Sequence, residues 1–333
     1  ILPGPLGSDF ADQHFHSWVG LGRARKDIGL SSVSFLYSGR VIDGGGSNRV
    51  FGPDFVWRPN DQSTLTGQLL WSFSKTPNLP ALASEWDGRS IDGHAAEVWY
   101  NWANRHWDVF GLYDDFANGF RADNGFVPRV GYRLGRFDGG RTFRPASGAV
   151  RRVRLFLQGE ASDARDGTTL TRWIGPGFGM DARWNSSVRV EFDVDQIRGQ
   201  ENLHDRFRVV PQVQIQPGKI LNRITASGSF GDQVDFANDR DATGGDLTAS
   251  VDLRPTDHLR LTTSYRRRWL DVDAGPAGSG RLLTAQIPRL RAVYTFSSQA
   301  WLRLIGEWNE VERHPELYPS TVNAKSSDFG GSA

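Results

Sequence analysis

The chain has 333 residues, a formal net charge of +1 and a polar mean hydropathy of -0.46. No apolar run approaches the roughly 20 residues that a membrane-spanning helix needs, so the sequence argues against a transmembrane helix. The balance of 39 basic and 38 acidic residues gives no bulk field for nucleic acid, and without cysteine there are no disulfides or thiolate metal sites.

The aromatic and glycine content is high for so polar a chain. Aromatic residues make up 12%, with 12 tryptophans, and glycine occurs 38 times. This combination is typical of a transmembrane β-barrel with a wet interior and a lipid-facing exterior. The sequence begins at Ile1 and shows no signal peptide, although a protein of the outer membrane needs one for export. We therefore expect this sequence to be a mature or partial form.

The clearest predicted strand covers residues 63–74, where polarity alternates with a period of two. One face consists of apolar side chains and a glycine, and the other carries mostly hydroxyl and amide groups. In water the apolar face would pack on a second sheet, whereas in a membrane it would contact lipid. The predicted lipid-facing residues are Leu65, Leu69, Trp71 and Phe73.

The same alternation recurs along the chain, at residues 96–102, 188–194, 247–253, 259–266 and 302–308. Its polar positions often carry Arg, Glu or Asp. A soluble sandwich would have to bury these charges at high cost, whereas a water-filled lumen tolerates them. Short turns also alternate with longer loops, as in outer-membrane barrels. The predicted fold class is therefore an all-β transmembrane antiparallel β-barrel with roughly 16 strands in this sequence.

The end of the chain reads as loop from Glu310 to Ala333 and closes on Gly-Gly-Ser-Ala rather than on an aromatic strand end. We therefore expect residues 1–333 to be one barrel domain that is part of a larger barrel. Closing strands and an N-terminal periplasmic domain would then lie outside this sequence.

Four strings resemble, in order, the C-terminal barrel of a Gram-negative envelope family. They are RKDIG at 25–29, NRVFGPDF at 48–55, DNGFVPR at 123–129 and VDFAN at 234–238. Members of that family carry a carbohydrate-binding-module family nine-like domain ahead of the barrel. The resemblance implies an outer-membrane β-barrel. It supplies no catalytic residues, because the family has no assigned function, and the sugar-binding-like domain is not in this sequence.

A set of charged residues falls on the polar parity of the predicted strands and is predicted to line the lumen. The set is Glu97, Asp108, Arg152, Arg154, Arg260, Arg266 and Arg268. The arginines either line an anion-selective path or pair with luminal acids such as Glu97, Asp108, Asp114, Glu191 and Asp193, and the near-equal charge totals favour pairing. Arg267 has the opposite parity, where it could hold a lipopolysaccharide phosphate.

The most motif-like segment is residues 123–129, with a predicted mouth motif at Gly125, Phe126, Pro128 and Arg129. A proline near a strand start lacks a ladder donor, so the segment folds inward or caps the mouth. The alternative is a structural turn. A second candidate for an inward constriction is the loop at 75–93, which contains Pro77, Pro80 and Trp86.

No set of residues resembles an enzyme active site or a metal site. His14 and His16 share a strand face but lack a third ligand. The glycine repeats at 20–22 and 175–179 have no strand-to-helix context for a nucleotide. The acids at 271–273 and 239–241 fail the spacing of a calcium loop. We predict no catalytic residue, no cofactor and no metal.

Two functions of different classes fit this sequence. The first is a channel or transport pore for unknown solutes in the outer membrane of a Gram-negative bacterium. The second is a structural barrel that anchors or sheathes a periplasmic domain or a multi-protein envelope complex. A barrel-borne hydrolase lacks a Ser-His-Asp signature. The expected partners are outer-membrane lipid, lipopolysaccharide and other envelope proteins, with no nucleic acid.

Overall fold

The computed structural model describes residues 2–4, 7–9, 16–78, 86–273 and 278–332. Within these residues the chain is all-β, apart from one 3-10 turn at Pro315–Leu317. No helix among them is long and apolar enough to cross a bilayer. Two short strands, β1 (Leu2–Gly4) and β2 (Gly7–Asp9), form an antiparallel hairpin. Seventeen further strands make up the barrel fold.

The barrel strands belong to two compact units, one of residues 1–139 and 158–172 and the other of residues 140–157 and 173–333. The strands wholly within the first unit are β3 (Ser17–Ile28), β4 (Ser31–Ile42), β5 (Ser47–Asn60), β6 (Ser63–Lys75), β7 (Ser90–Ala103) and β8 (Trp107–Phe116). Three strands have residues in both units: β9 (Tyr132–Phe143), β10 (Val150–Ala164) and β11 (Thr169–Ala182). The second unit contains β12 (Ser186–Arg198), β13 (Leu203–Ile215), β14 (Leu221–Asp235), β15 (Arg240–Leu253), β16 (Leu259–Val272), β17 (Gly280–Thr295), β18 (Trp301–Arg313) and β19 (Lys325–Ser332).

In the first unit, β3 to β8 pair antiparallel in chain order. Strand β6 shows how the alternation divides the sheet into two faces. Its partners on β7 are Glu97 opposite Gln68 and Ala96 opposite Leu69. Residues directly opposite one another share a face. Gln68 and Glu97 therefore lie on what we call the polar face, and Leu69 lies on the apolar face.

In the second unit, β12 to β19 also pair antiparallel in chain order. Strand β12 places Glu191, Asp193 and Asp195 on its polar face, where all three are buried. On its apolar face, Phe192 and Val194 are exposed. Buried acids and exposed apolar side chains on one strand are the inverse of a soluble β-protein, and they suit a sheet whose outer surface meets lipid.

Four tryptophans near strand ends, two in each unit, are exposed. In the first unit, Trp57 is near the end of β5 and Trp107 begins β8. In the second, Trp184 occupies the turn before β12 and Trp301 begins β18. Indole rings prefer the boundary between headgroups and hydrocarbon. Their exposure at strand ends is what a membrane-spanning sheet requires.

The expectation of loop from Glu310 onward is wrong. Strand β18 continues to Arg313, and β19 then pairs with it from Lys325 opposite Glu312 to Ser332 opposite Ile305. The serines and glycines of β19 have weak strand propensity, so the sequence alone resembles a loop. The backbone hydrogen bonds offered by β18 nevertheless make this segment a strand.

The two faces of β6 can be tested with one pair of charge substitutions. Leu69→Arg places a guanidinium on the apolar face near mid-strand and should destabilise the folded barrel by roughly 2 to 4 kcal/mol. Gln68→Arg places the same group beside Glu97 on the polar face and should be nearly neutral. The free energy of unfolding from phospholipid bilayers measures both. Equal losses in the two variants would contradict this assignment of faces.

Candidate functional site

The connection between β8 and β9, residues 117–131, lies folded over the polar face of the first unit; we call it the inner loop. Its central residues Phe120, Arg121, Asp123, Val127 and Val130 are buried. A connection that merely turned the chain at a barrel rim would leave such residues in solvent. The inner loop therefore packs onto the sheet.

Hydrogen bonds attach the inner loop to strands distant from its own ends. Asn48 on β5 donates from Nδ2 to the carbonyl oxygen of Arg121 at 3.0 Å and accepts at Oδ1 from the backbone N–H of Asp123 at 3.1 Å. On β6, the hydroxyl of Ser72 accepts from the backbone N–H of Arg121 at 3.0 Å. Asn48 is fully buried and also donates to Ser74 at 2.8 Å. Buried polar groups on both surfaces are thus satisfied by one another.

The tip of the inner loop reaches β4. Asn124 donates from Nδ2 to the hydroxyl of Ser38 and to the carbonyl oxygen of Gly39, both at 3.1 Å. Arg40, also on β4, donates to the carbonyl oxygen of Asp123 at 3.3 Å. The inner loop therefore crosses the polar faces of the strands between β8 and β4.

Close backbone contact explains two glycines at the point where the loop crosses β7. A Cβ at Gly93 would overlap the backbone nitrogen of Phe120, and a Cβ at Gly119 would overlap the carbonyl oxygen of Asp92. An apolar cluster of Val50, Ala95, Phe120, Val127 and Val130 completes the contact. The loop is thus held by apolar burial as well as by hydrogen bonds.

A charged pair is buried under the loop. The side chains of Arg121 and Asp123 are only 5% and 7% exposed, and the guanidinium Nε lies 3.8 Å from the carboxylate Oδ1. That distance suits an ion pair but is too long for a hydrogen bond. Burial raises the pKa of Asp123 above its ordinary value of 3.8, and Arg121 and Arg40 offset part of this rise.

The two ends of the inner loop are joined to each other and to the next hairpin. The backbone N–H of Gly131, where φ is +80°, donates to the carbonyl oxygen of Phe116 at 3.0 Å. Arg165, in the connection after β10, donates to the same oxygen at 3.2 Å and forms an ion pair with Asp115. His94 lies 3.6 Å from that carboxylate. These contacts fix the start and the end of the loop.

The structure places the mouth motif on the inner loop. Val127 is buried, whereas Gly125, Phe126, Pro128 and Arg129 are exposed, and Phe126 is 79% exposed. Phe126 borders a cavity of about 230 Å³ whose wall also includes Gln68 and Glu97 of the polar face. The segment thus lies over the polar face of the sheet, and its role at a barrel mouth stays a prediction.

The loop at 75–93 is described only in part. Thr76, Pro77 and Trp86 are buried, and the backbone N–H of Thr76 donates to the carbonyl oxygen of Arg89 at 2.9 Å. Pro80 lies outside the described residues, as does His14 of the histidine pair. A constriction by this loop stays a prediction.

The predicted lumen residues of the second unit lie on its polar face in differing surroundings. Arg152 pairs with Asp181 at 2.7 Å and Arg260 with Asp252 at 3.3 Å. The Arg154 guanidinium lies 5.1 Å from the ring centre of Phe156. Arg266 and Arg268 are exposed. In the first unit, Glu97 is exposed and Asp108 is half-buried at the start of β8. Their role in a conduction path stays a prediction.

Sequence reasoning missed the partners of the buried acids in the second unit. Asp195 accepts from Arg206 at 2.6 Å and from Arg208 at 2.5 Å, and Arg208 also contacts Asp193 at 3.2 Å. The register sets Asp195 opposite Arg206 and Asp193 opposite Arg208. Only the strand register shows which of these charges meet, because alternation along one strand says nothing about its neighbour.

The acids that gave a weak calcium signal have structural roles. Asp239 accepts from the backbone N–H groups of Gln200, Glu201 and Asn202 at 2.8 to 2.9 Å. His204 donates to the same carboxylate at 3.0 Å, and these bonds hold the pKa of Asp239 well below its usual range. Asp271 pairs with Arg281. Among the described residues, no group of three or more potential ligands could hold a metal.

Comparison with known proteins supports the fold class. The strands define a transmembrane antiparallel β-barrel, the fold of outer-membrane receptors, as the sequence predicted. Among solved structures, the chain is similar to the siderophore receptor PirA from Acinetobacter baumannii, with a TM-score of 0.50 and 9% identity. The match covers 92% of this chain and 60% of the receptor chain. No family model and no curated protein matches.

The close contact at Gly93 predicts that one methyl group will displace the inner loop. Gly93→Ala should weaken docking by about 1 to 3 kcal/mol, because the Cβ overlaps backbone that cannot rotate away. Hydrogen exchange of amides 117–131 should accelerate in this variant. Gly111→Ala on β8 is the control, since a Cβ there meets nothing within 4 Å. Unchanged exchange in Gly93→Ala would contradict the close contact.

Asp123 makes loop docking depend on pH. Because its pKa is raised in the docked state, that state binds a proton more readily than the released one. Docking should therefore be strongest at acidic pH and weaken as the pH rises from about 4 through the raised pKa. Hydrogen exchange of the loop, corrected for intrinsic rates, should show this trend.

Asp123→Asn should remove most of that pH dependence, because an amide does not ionise. Asp61→Asn, in the exposed turn after β5, is the control and should retain it. A trend of the same size in Asp123→Asn would assign the effect to another group.

Proposed function

We propose that the protein is an outer-membrane β-barrel of a Gram-negative bacterium that conducts solutes along a path narrowed by the inner loop. The observation that carries the proposal is the docked inner loop itself. It covers the polar face of several strands and presents Phe126, which is 79% exposed, beside Gln68 and Glu97. A barrel with at least this many strands has room for an aqueous path unless something fills it.

The charge distribution on the polar faces supports the same proposal. Arg136 and Glu160 pair on the first unit's polar face, and Arg152 and Asp181 pair on the second's. Such pairs remain partly exposed, with Arg136 and Arg152 each 49% exposed. Partly hydrated ion pairs are what a water-filled interior tolerates at low cost.

The ligand of the similar receptor does not identify the solute of this protein. A siderophore is the ligand named for that protein, and at 9% identity the likeness carries the fold alone. The resemblance to the envelope family with a sugar-binding-like domain likewise remains a prediction. The absence of enzymatic activity also remains a prediction.

Lipid and lipopolysaccharide are the partners we propose for the apolar faces. Arg267 on β16 lies on the apolar face between Tyr265 and Trp269, with its guanidinium 5.6 Å from the Trp269 ring centre. A cation held over an indole near the end of a strand is suited to a lipid phosphate. Other envelope proteins remain candidate partners under the structural-barrel alternative.

Conductance in planar bilayers tests the proposed function. The protein should conduct, and a variant in which residues 121–129 are replaced by a short Gly-Ser linker should conduct more, because the obstruction is removed. Val98→Ala, on the apolar face of β7, is the control and should leave conductance unchanged. Absence of conductance in both the protein and the shortened-loop variant would favour the structural barrel that anchors or sheathes other envelope components.

A further inference from the structure

We propose that the polar face of β16, β17 and β18 is a binding track for multiply charged anions, solutes that carry phosphate or carboxylate groups. This inference rests on the proposed function and names the substrate class of that path. The polar faces of these three strands carry seven arginines and one acidic residue. The arginines are Arg260, Arg266, Arg268, Arg289, Arg291, Arg303 and Arg313, and the acid is Glu307.

The strand register places these arginines on one continuous surface. Thr262 lies opposite Arg291, and Ser264 lies opposite Arg289. On the next strand, Glu307 lies opposite Arg289, and Arg303 lies opposite Val293, two residues from Arg291. Adjacent strands lie about 4.8 Å apart, and residues two apart on a strand lie about 7 Å apart. Each guanidinium is thus within reach of the next.

Most of this charge has no acidic partner. Arg260 pairs with Asp252 on β15 at 3.3 Å, and Arg289 approaches Glu307 at 3.7 Å. Among the described residues, Arg266, Arg268 and Arg291 have no carboxylate within ion-pair distance, and all three are exposed. Uncompensated charges that share a wall within about one Debye length of each other sum to a positive potential.

A cavity lies at one end of this surface, beside the short turns at residues 218–219 and 254–258. The cavity has a volume of about 710 Å³, large enough for a phosphorylated or carboxylated solute. Its wall carries Lys219, Arg254, His258, Arg260 and Arg291 against the single acid Asp257. Hydrogen-bond donors from Asn222, Thr256 and Thr295 complete the lining.

The chemistry of these cations favours oxyanions over chloride alone. Guanidinium groups present paired N–H donors that match the oxygens of phosphate and carboxylate. His258 donates from Nδ1 to the carbonyl oxygen of Thr295 at 2.7 Å, and this bond orients the ring at the cavity wall. An oriented ring beside exposed arginines provides a site rather than only a diffuse field.

Two other strands of the second unit show that this excess is local. On β12 and β13 the polar-face arginines contact acids: Arg206 and Arg208 contact Asp195, and Arg189 contacts Glu191 at 3.2 Å. There the acids and bases neutralise one another, which is consistent with the overall net charge of +1. On β16 to β18 seven arginines share the face with one acid, Glu307, and the adjacent strand β15 adds Asp252, which pairs with Arg260, and Asp246, which lies opposite Arg268.

Ion selectivity and block by a polyanion test the proposal together. In a KCl gradient, the reversal potential should show preference for the anion, and this preference should weaken at high salt as screening increases. Inorganic tripolyphosphate should block the current. The triple variant Arg266→Gln, Arg268→Gln, Arg291→Gln should lose the preference and need a roughly tenfold or higher tripolyphosphate concentration for block, because it loses charged hydrogen bonds to the polyanion.

Two control variants separate charge from folding. Arg267→Gln changes an arginine between two of the tested positions, but on the apolar face, and should leave selectivity and block unchanged. Replacing the three arginines by Lys keeps the charge, and should restore anion preference while binding tripolyphosphate less tightly than the guanidinium forks do.

The outcomes distinguish this inference from the function on which it rests. Conductance without anion preference, or block that is equal in the triple variant, overturns the anion track and leaves the channel intact. If the protein does not conduct, the proposed function fails, and titration calorimetry with tripolyphosphate on the detergent-solubilised barrel decides the site. Binding that the triple variant loses would support the site, whereas no binding would overturn it.

Discussion

The pairing of every backbone N–H and C=O group within the protein is the constraint on which this structure depends. Hydrocarbon offers no hydrogen-bond partners, and an unpaired group there costs several kcal/mol. The long ladders meet this requirement, as between β14 and β15, where pairing runs from Leu221 opposite Leu253 to Asp235 opposite Arg240. Pairing fixes the strand register, and the register then decides which side chains share a face. The chemistry of the polar faces follows from it.

The two units use their polar faces in different ways. In the first, neutral polar side chains such as Asn48 and Ser72 receive a docked loop, and the backbone of that loop satisfies them. In the second, charged side chains dominate, with compensated acids on β12 and uncompensated arginines on β16 to β18. The inner loop belongs to the first unit, and the arginine-rich polar face of β16 to β18 belongs to the second.

Alternation alone predicts β6, β7, β12, β15, β16 and β18, because side chains on one face of each strand must be apolar whereas those on the other face need not be. The predicted strand at residues 63–74 agrees with the observed bounds of β6 to within one residue. Alternation does not predict β19. Its sequence is Lys-Ser-Ser-Asp-Phe-Gly-Gly-Ser, in which local propensity opposes a strand. It forms a strand because its backbone pairs with that of β18, and backbone pairing leaves no pattern in the side chains. Pro128 marks the inner loop as unusual in the sequence, but its docking partners Asn48 and Ser72 give no such signal, since they lie far away in the chain.

The sequence by itself determined the fold class and which side chains of one strand share a face, because these depend on a period of two that any neighbouring strand would respect. Only the tertiary structure decided which charges meet. Arg152 and Arg260 have the same parity as Arg266 and Arg268, yet the first two form ion pairs with Asp181 and Asp252, whereas the last two form none among the described residues, although Asp246 lies opposite Arg268. The difference arises from side-chain conformation and strand register, and the register depends on backbone hydrogen bonds and turn lengths summed over whole strands. A short stretch of sequence does not contain that information.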